Sequence, residues 1–190
     1  MKKRLPIIIA LAGLILTAGM FGCKGKKEAA PEGEVEVSVY CSGSEYWSNN
    51  EYFRANAIGE SMDQMTSKKK AMSNAKAELA SSINTVIKGT TDNYVNSREF
   101  NNVEEVEERF EGLTREVINQ ELSGVKTICE KMTKTATGTY KTYLAIELSG
   151  DDLVSKINER LSKDERLKID YDYEKFKKTF DEEMSKLENN

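Results

Sequence analysis

Tyr140-Lys141-Thr142-Tyr143-Leu144-Ala145-Ile146-Glu147-Leu148 decides the fold. Tyr140, Thr142, Leu144, Ile146 and Leu148 share one face, and Lys141, Tyr143 and Glu147 lie on the other. That period of two marks a half-buried strand. Just upstream, Val125 to Met132 reads as a second strand. Ala136-Thr137-Gly138 is the turn between them, so the two form a hairpin. Glu34 to Cys41 alternates in the same way, with Val35, Val37, Val39 and Cys41 opposite Glu34, Glu36, Ser38 and Tyr40. It too is expected as a half-buried strand. Tyr52 to Ile58 reads as a short extended segment.

Helical periods fill the remainder. Ser61 to Ile87 carries Met65, Met72, Ala75, Leu79, Ile83 and Val86 at three- and four-residue steps, one apolar stripe. Ser61 or Asp63 supplies its cap. Ala71, Ala75, Ala77 and Ala80 make it thin, so a sheet or helix can approach closely. Gly89-Thr90-Thr91 is expected to weaken the helix, and Asp92 to Asn102 is open between loop and bent continuation. Asn102 reads as the cap of a second helix, Val103 to Glu121, whose first turns hold Glu104, Glu105 and Glu107, where the helix dipole favours negative charge. Its stripe is Val103, Val106, Phe110, Leu113 and Val117, and Ser123-Gly124 ends it. Ser149-Gly150-Asp151-Asp152 opens a short helix through Leu161, and Lys163 to Asp172 is turn-like. Tyr173 to Leu187 is a charged final helix. Its narrow seam of Phe176, Phe180 and Met184, which Leu187 can extend, is expected to dock on the domain edge or on a second copy. The fold class is α+β: a small antiparallel sheet packed by one or two long helices, with a C-terminal helical extension.

The N-terminus carries an address. Lys2, Lys3 and Arg4 precede a mostly apolar run from Leu5 to Met20, and Met20-Phe21-Gly22-Cys23 follows. Charged head, apolar run and small residue at the junction are the order of a secretory signal. A cysteine at the cut resembles the lipobox of bacterial lipoproteins. That resemblance implies cleavage before Cys23 and a diacylglycerol on its thiol. Each buried methylene contributes about 0.8 kcal/mol, and two or three chains anchor stably where one does not. The alternative is an uncleaved anchor, since the apolar run is near the roughly 17–20 residues that span a bilayer. The polar Lys24-Gly25-Lys26-Lys27 after the junction favours the lipoprotein. Lys24, where inner-membrane retention would favour aspartate, implies the outer membrane. The organisation expected is signal 1–22, lipidated cysteine and tether 23–33, α+β domain 34–150 and extension 151–190.

Composition narrows the function. The chain has 190 residues, with 28 basic and 32 acidic. Removing the first 22 takes three basic residues and no acidic one, so the remaining 168 carry 25 against 32, a net charge of −7. That charge disfavours nucleic acid, which needs clustered Lys and Arg, and a broad second contact with anionic lipid. The chain has no histidine. It therefore lacks the commonest general base and metal ligand. Glu104-Glu105, Glu107-Glu108 and Asp181-Glu182-Glu183 read as solvated helix faces. Asp151-Asp152 and Asp170-Tyr171-Asp172 lack the ligand spacing of a calcium loop. No catalytic residue, metal site or cofactor is expected. Lys68-Lys69-Lys70 reads as a solvated turn. With Cys23 lipidated, Cys41 and Cys129 remain, either as a disulfide or as two buried thiols. Val125 and Cys129 share strand parity, which would turn Cys129 toward the core that Cys41 faces. Tyr46, Trp47, Tyr52 and Phe53 form an aromatic cluster, either a binding loop or the plug of a core edge.

Three stretches resemble the LPP-twenty bacterial lipoprotein family and the related N-domain of flagellar-assembly lipoproteins. They are Ala71-Met72-Ser73-Asn74-Ala75-Lys76-Ala77-Glu78-Leu79-Ala80, Leu122-Ser123-Gly124-Val125, and Gly138 to Leu148. The resemblance covers about Val35 to Leu148. It implies a small α+β fold in the bacterial envelope, and it brings no active site. The function expected is an envelope-anchored, non-enzymatic lipoprotein with a structural or assembly-supporting role. Its partners would be the membrane, through the lipid, and second copies or an envelope assembly. The alternative is a tethered binding module reading a peptide, glycan or lipid through residues 46–53.

Overall fold

The computed structural model describes residues 33–35, 37–97, 103–165, 167 and 171–189. The signal, Cys23, most of the tether and the Asn102 cap therefore lie outside the described residues. Among the described residues, three strands and four helices follow in order: β1 (Tyr52–Ser61), α1 (Gln64–Asn96), α2 (Val103–Glu121), β2 (Lys126–Lys134), β3 (Tyr140–Ser149), α3 (Gly150–Ser162) and α4 (Tyr173–Ser185). All belong to one unit, Ser38–Asn190. Ahead of it, Gly33, Glu34, Val35 and Val37 are neither helix nor strand.

The sheet is antiparallel in the order β1-β3-β2. β3 is central because it is the one strand apolar enough to be covered on both faces: Leu144, Ala145 and Ile146 are all fully buried. All ten residues of β1 pair with it. This corrects the reading of Glu34 to Cys41 as a strand. Alternation is necessary for a strand but does not supply partners for its backbone groups, and β1 and β2 occupy both edges of β3. Val35 and Val37 are accordingly 85% and 78% exposed.

The helices pack on one face of the sheet. Asp63 caps α1, accepting from the Thr66 amide at 2.7 Å. Ser67, Ala71, Ala75, Leu79 and Ile83 turn inward, each fully buried, while Met65 of the expected stripe is 58% exposed. Gly59 is where strand and helix come closest. A Cβ there would sit 2.2 Å from the Ser67 carbonyl oxygen and 2.4 Å from the Ala71 nitrogen. Ser67 Oγ donates to the Gly59 carbonyl at 2.8 Å and lies 2.8 Å from Thr142 Oγ1. Ser67 has one hydroxyl proton, so Thr142 donates to it and both buried hydroxyls are satisfied.

α1 does not weaken at Gly89. Thr90, Thr91, Tyr94 and Val95 are buried, and this packing outweighs local propensity. Gly89 leaves room for α4, since a Cβ would come within 2.9 Å of Glu183 Oε2. Asn93 Nδ2 donates to the other oxygen of that carboxylate at 2.7 Å. α2 buries Phe110, Thr114, Val117 and Ile118, while Val103, expected in its stripe, is 43% exposed.

The segment read as an extension, 151–190, shares this core. Leu153, Ile157, Leu161, Phe176, Phe180 and Met184 belong to the same cluster as Phe53 and Leu79. Phe180 meets Phe53 edge-on at 6.3 Å, and Tyr94 lies 5.7 Å from Phe110 and 5.5 Å from Phe176. The Tyr94 hydroxyl accepts from the Asp172 amide at 2.8 Å. α4 therefore docks in the interior of its own chain rather than on an edge or a second copy. Its three large apolar residues at four-residue spacing are enough to close the core that α1 and α2 leave open. Asp164, 8% exposed, is matched by Arg109, whose Nε donates to it at 2.8 Å.

Gly59→Ala tests the helix–sheet contact. The added methyl meets backbone on both sides, so the loss expected is about 1–3 kcal/mol of unfolding free energy, the usual range for overpacking. Urea titration followed by circular dichroism reads it.

Candidate functional site on the outer face of the sheet

The face of the sheet away from the helices forms four cross-strand rows. Register places Arg54, Glu147 and Lys126 in the first row and Asn56, Ala145 and Cys129 in the second. Ile58, Tyr143 and Lys131 make the third, and Glu60, Lys141 and Thr133 the fourth.

The first row is an ion triad. Glu147 accepts from Arg54 Nε at 3.2 Å and from Lys126 Nζ at 3.0 Å, with its side chain 11% exposed. Burial alone pushes the Glu147 carboxyl up. Hydrogen bonds from Lys126 and Arg54, with their charges, outweigh this and hold it below the ordinary glutamate value. Arg54 also reaches the preceding loop, donating through its NH1 nitrogen to the Trp47 carbonyl at 3.3 Å, and its guanidinium lies 5.1 Å from the Tyr52 ring centre. Ser48 Oγ accepts from the Arg54 amide at 2.8 Å and donates to the Arg54 carbonyl at 3.0 Å. Asn49 Oδ1 takes the Tyr52 amide at 2.8 Å. The loop is thus stitched to the free edge of β1. Asn74 and Lys70 donate to the Ile58 and Glu60 carbonyls further along, each at 3.2 Å. Side chains occupying backbone groups blunt an edge strand against pairing with another chain.

The second row carries the disulfide. Cys41 Sγ is 2.12 Å from Cys129 Sγ, with the Cα atoms 5.6 Å apart. The bond covers Ala145, which explains a fully buried residue on an otherwise open face. It also corrects the parity argument for Cys129. A bulge between Thr127 and Cys129 flips the strand, so Val125 packs toward the core while Cys129 faces outward opposite Ala145. Cys41 has a φ of +58°, a left-handed conformation that costs a non-glycine residue about 1–2 kcal/mol. The third row receives Tyr40, whose ring stands edge-on to Tyr143 at 5.3 Å. Tyr40 remains 57% exposed, and Ile58 41%. In the fourth row, Lys141 Nζ pairs with Glu60 Oε1 at 2.6 Å. The hydrogen bond and charge of Glu60 raise the lysine above its ordinary range.

The expected aromatic cluster is divided by strand alternation. Phe53 is fully buried on the helix side, whereas Tyr52 is half-buried under Arg54. Tyr46 is half-buried in a single turn, and Trp47 is 60% exposed. Phe53 is therefore a core residue and not part of a binding loop. What sequence reading did not single out are Tyr40, Ile58, Tyr143 and the Arg54–Glu147–Lys126 triad. Their common signal is outward parity on paired strands, visible only once the register is known.

Among the described residues, no group of three or more His, Cys, Asp or Glu is placed to hold a metal, and no helix is long and apolar enough to cross a membrane. Away from this face, a cleft of about 600 Å³ between α1 and α2 has Ile87 and Ile118 in its floor and Lys88, Glu111 and Arg115 on its rim. No family model, curated protein or solved structure matches the chain.

Two outcomes are expected at this face. Cys129→Ser opens a bond spanning 88 residues. It should lower stability by about 2–5 kcal/mol, as loss of a native disulfide typically does, read from urea midpoints of oxidised wild type against the variant. Glu147 has a depressed folded-state pKa, so its contribution is full above the ordinary value of 4.5 and is lost as pH falls through the lower folded value. The stability gap between wild type and Glu147→Gln should therefore be widest near neutral pH and shrink below about pH 4.5.

Proposed function

We propose that the protein is a bacterial envelope lipoprotein, anchored by lipid on Cys23 at the outer membrane, with a structural or assembly-supporting role rather than a catalytic one. The signal, the Met20-Phe21-Gly22-Cys23 junction and the resemblance to LPP-twenty lipoproteins support the anchor and the class. The observation that carries the role is the outer sheet face. It is a rigid, ion-paired surface that exposes Tyr40 and Ile58, and the chain joins it at a covalent staple. Such a face works by contact. A second reading, a tethered module binding a peptide, glycan or lipid, is favoured by one observation: Trp47 is 60% exposed on a loop held down on both sides.

Intact mass of the chain from bacterial membranes, beside a Cys23→Ala version, tests the anchor. Loss of residues 1–22 and an added lipid mass on Cys23, both absent in the variant, are expected. An unmodified chain retaining Met1 would overturn the lipoprotein reading. Self-association on sizing, unchanged by Trp47→Ala, supports the structural role. A monomer whose tryptophan emission shifts with envelope peptides or glycans supports the binding module.

A further inference from the structure

We infer that the outer face of the sheet rests on the phospholipid headgroups of the leaflet that holds the lipid on Cys23. The inference builds on the anchored reading above and adds an orientation and a contact surface to it.

Three observations converge. The first is where the chain joins the domain. Fourteen residues lie between Cys23 and Ser38, a reach of roughly 50 Å at full extension. The chain meets the domain at Cys41, which the disulfide pins to the outer face and not to the helices. The second is charge. Arg54, Lys126, Lys131 and Lys141 stand in the four rows against Glu60 and Glu147, and the loop that brings Tyr40 and Trp47 adds Glu45, a net of +1 on a body of −7. The whole-chain charge disfavours an anionic leaflet, but its distribution turns the basic side outward here. Lys126 and Lys141 are ion-paired. Lys131 has no acidic partner among the described residues, which leaves its charge for phosphate.

The third observation is residue type. Tyr40 and Trp47 are 57% and 60% exposed, and Ile58 on β1 is 41% exposed. Tyrosine and tryptophan, with an apolar ring and a polar tip, are the side chains that settle at headgroup depth. Lysine on a long apolar stem suits the same layer. A second copy on this face is the weaker occupant, because a two-fold contact would set one positive surface against its equal. An anionic headgroup layer is attracted by the same charges.

Trp47 is the only tryptophan, so its emission reports the contact directly. The full lipidated chain is reconstituted in vesicles of phosphatidylethanolamine and phosphatidylglycerol, with brominated acyl chains as quencher. The result expected is a blue shift and quenching relative to the protein in detergent, with protection from iodide. Lys131→Glu should lower the docked-to-free ratio about tenfold, the effect of reversing one charge near an anionic surface. In a Trp47→Phe background, Ile58→Trp should be quenched likewise, whereas Arg115→Trp on α2 should not. Equal quenching at positions 58 and 115, or Trp47 as open to iodide in vesicles as in detergent, would overturn the inference. The anchor is judged separately by the mass of the same sample. Lipid on Cys23 with Trp47 unquenched removes the docking surface and leaves the anchor standing. An unlipidated chain removes the anchor, and Trp47 quenching on added vesicles still decides the surface.

Discussion

The whole arrangement depends on how closely α1 can approach the sheet. Gly59 has no side chain, and the Ser67 and Ala71 backbone fills the space where one would be. The two small residues on the helix, Ala71 and Ala75, continue that near-contact along β1. At this spacing a hydroxyl can bridge layers, and Ser67 does so between the Gly59 carbonyl and Thr142. A buried pair of hydroxyls is costly unless both are satisfied. Here each finds the other or a carbonyl, so the polar link fixes the position of helix on strand without leaving an orphan. From that fixed point the 33-residue helix extends past the sheet. Its far half is free to receive α2 and α4.

That overhang explains why the C-terminal helix belongs to the core. Beyond the last strand α1 has no sheet to cover it, yet Tyr94 and Val95 must be buried. Phe110 from α2 and Phe176 from α4 supply the surface, with ring centres 5.5–5.9 Å apart across the three residues Tyr94, Phe110 and Phe176. Two cores in one chain would each be small. The shared long helix joins sheet and helical layer into one.

The elements legible in sequence were those carrying their own partners. β3 reads as a strand because its apolar residues alternate, and α2 spans Val103–Glu121 as its stripe and acidic first turn imply. What could not be read was supplied by distant residues. Glu34 to Cys41 has a strand's alternation, yet its described residues pair with no strand. Gly89 has a breaker's identity, but it lies where Glu183 crosses. Tyr52 and Phe53 are neighbours in sequence and opposites in space, so an aromatic cluster on paper divides between surface and core. The outer face was the least legible part. Its rows exist only through register, and one extra residue in β2 reverses the parity on which the reading of Cys129 rested.

The disulfide also sets the route of mechanical load. A pull on the chain ahead of Cys41 crosses to Cys129 and enters β2 through a covalent bond. Residues 42 to 128, including β1, α1 and α2, lie in a closed loop off that covalent path. Without the bond the same pull would run along the backbone into β1, an edge strand held to the sheet by one neighbour. The staple thus works as a strain relief, routing a pull from the N-terminal side past the covalent path through the longest helix.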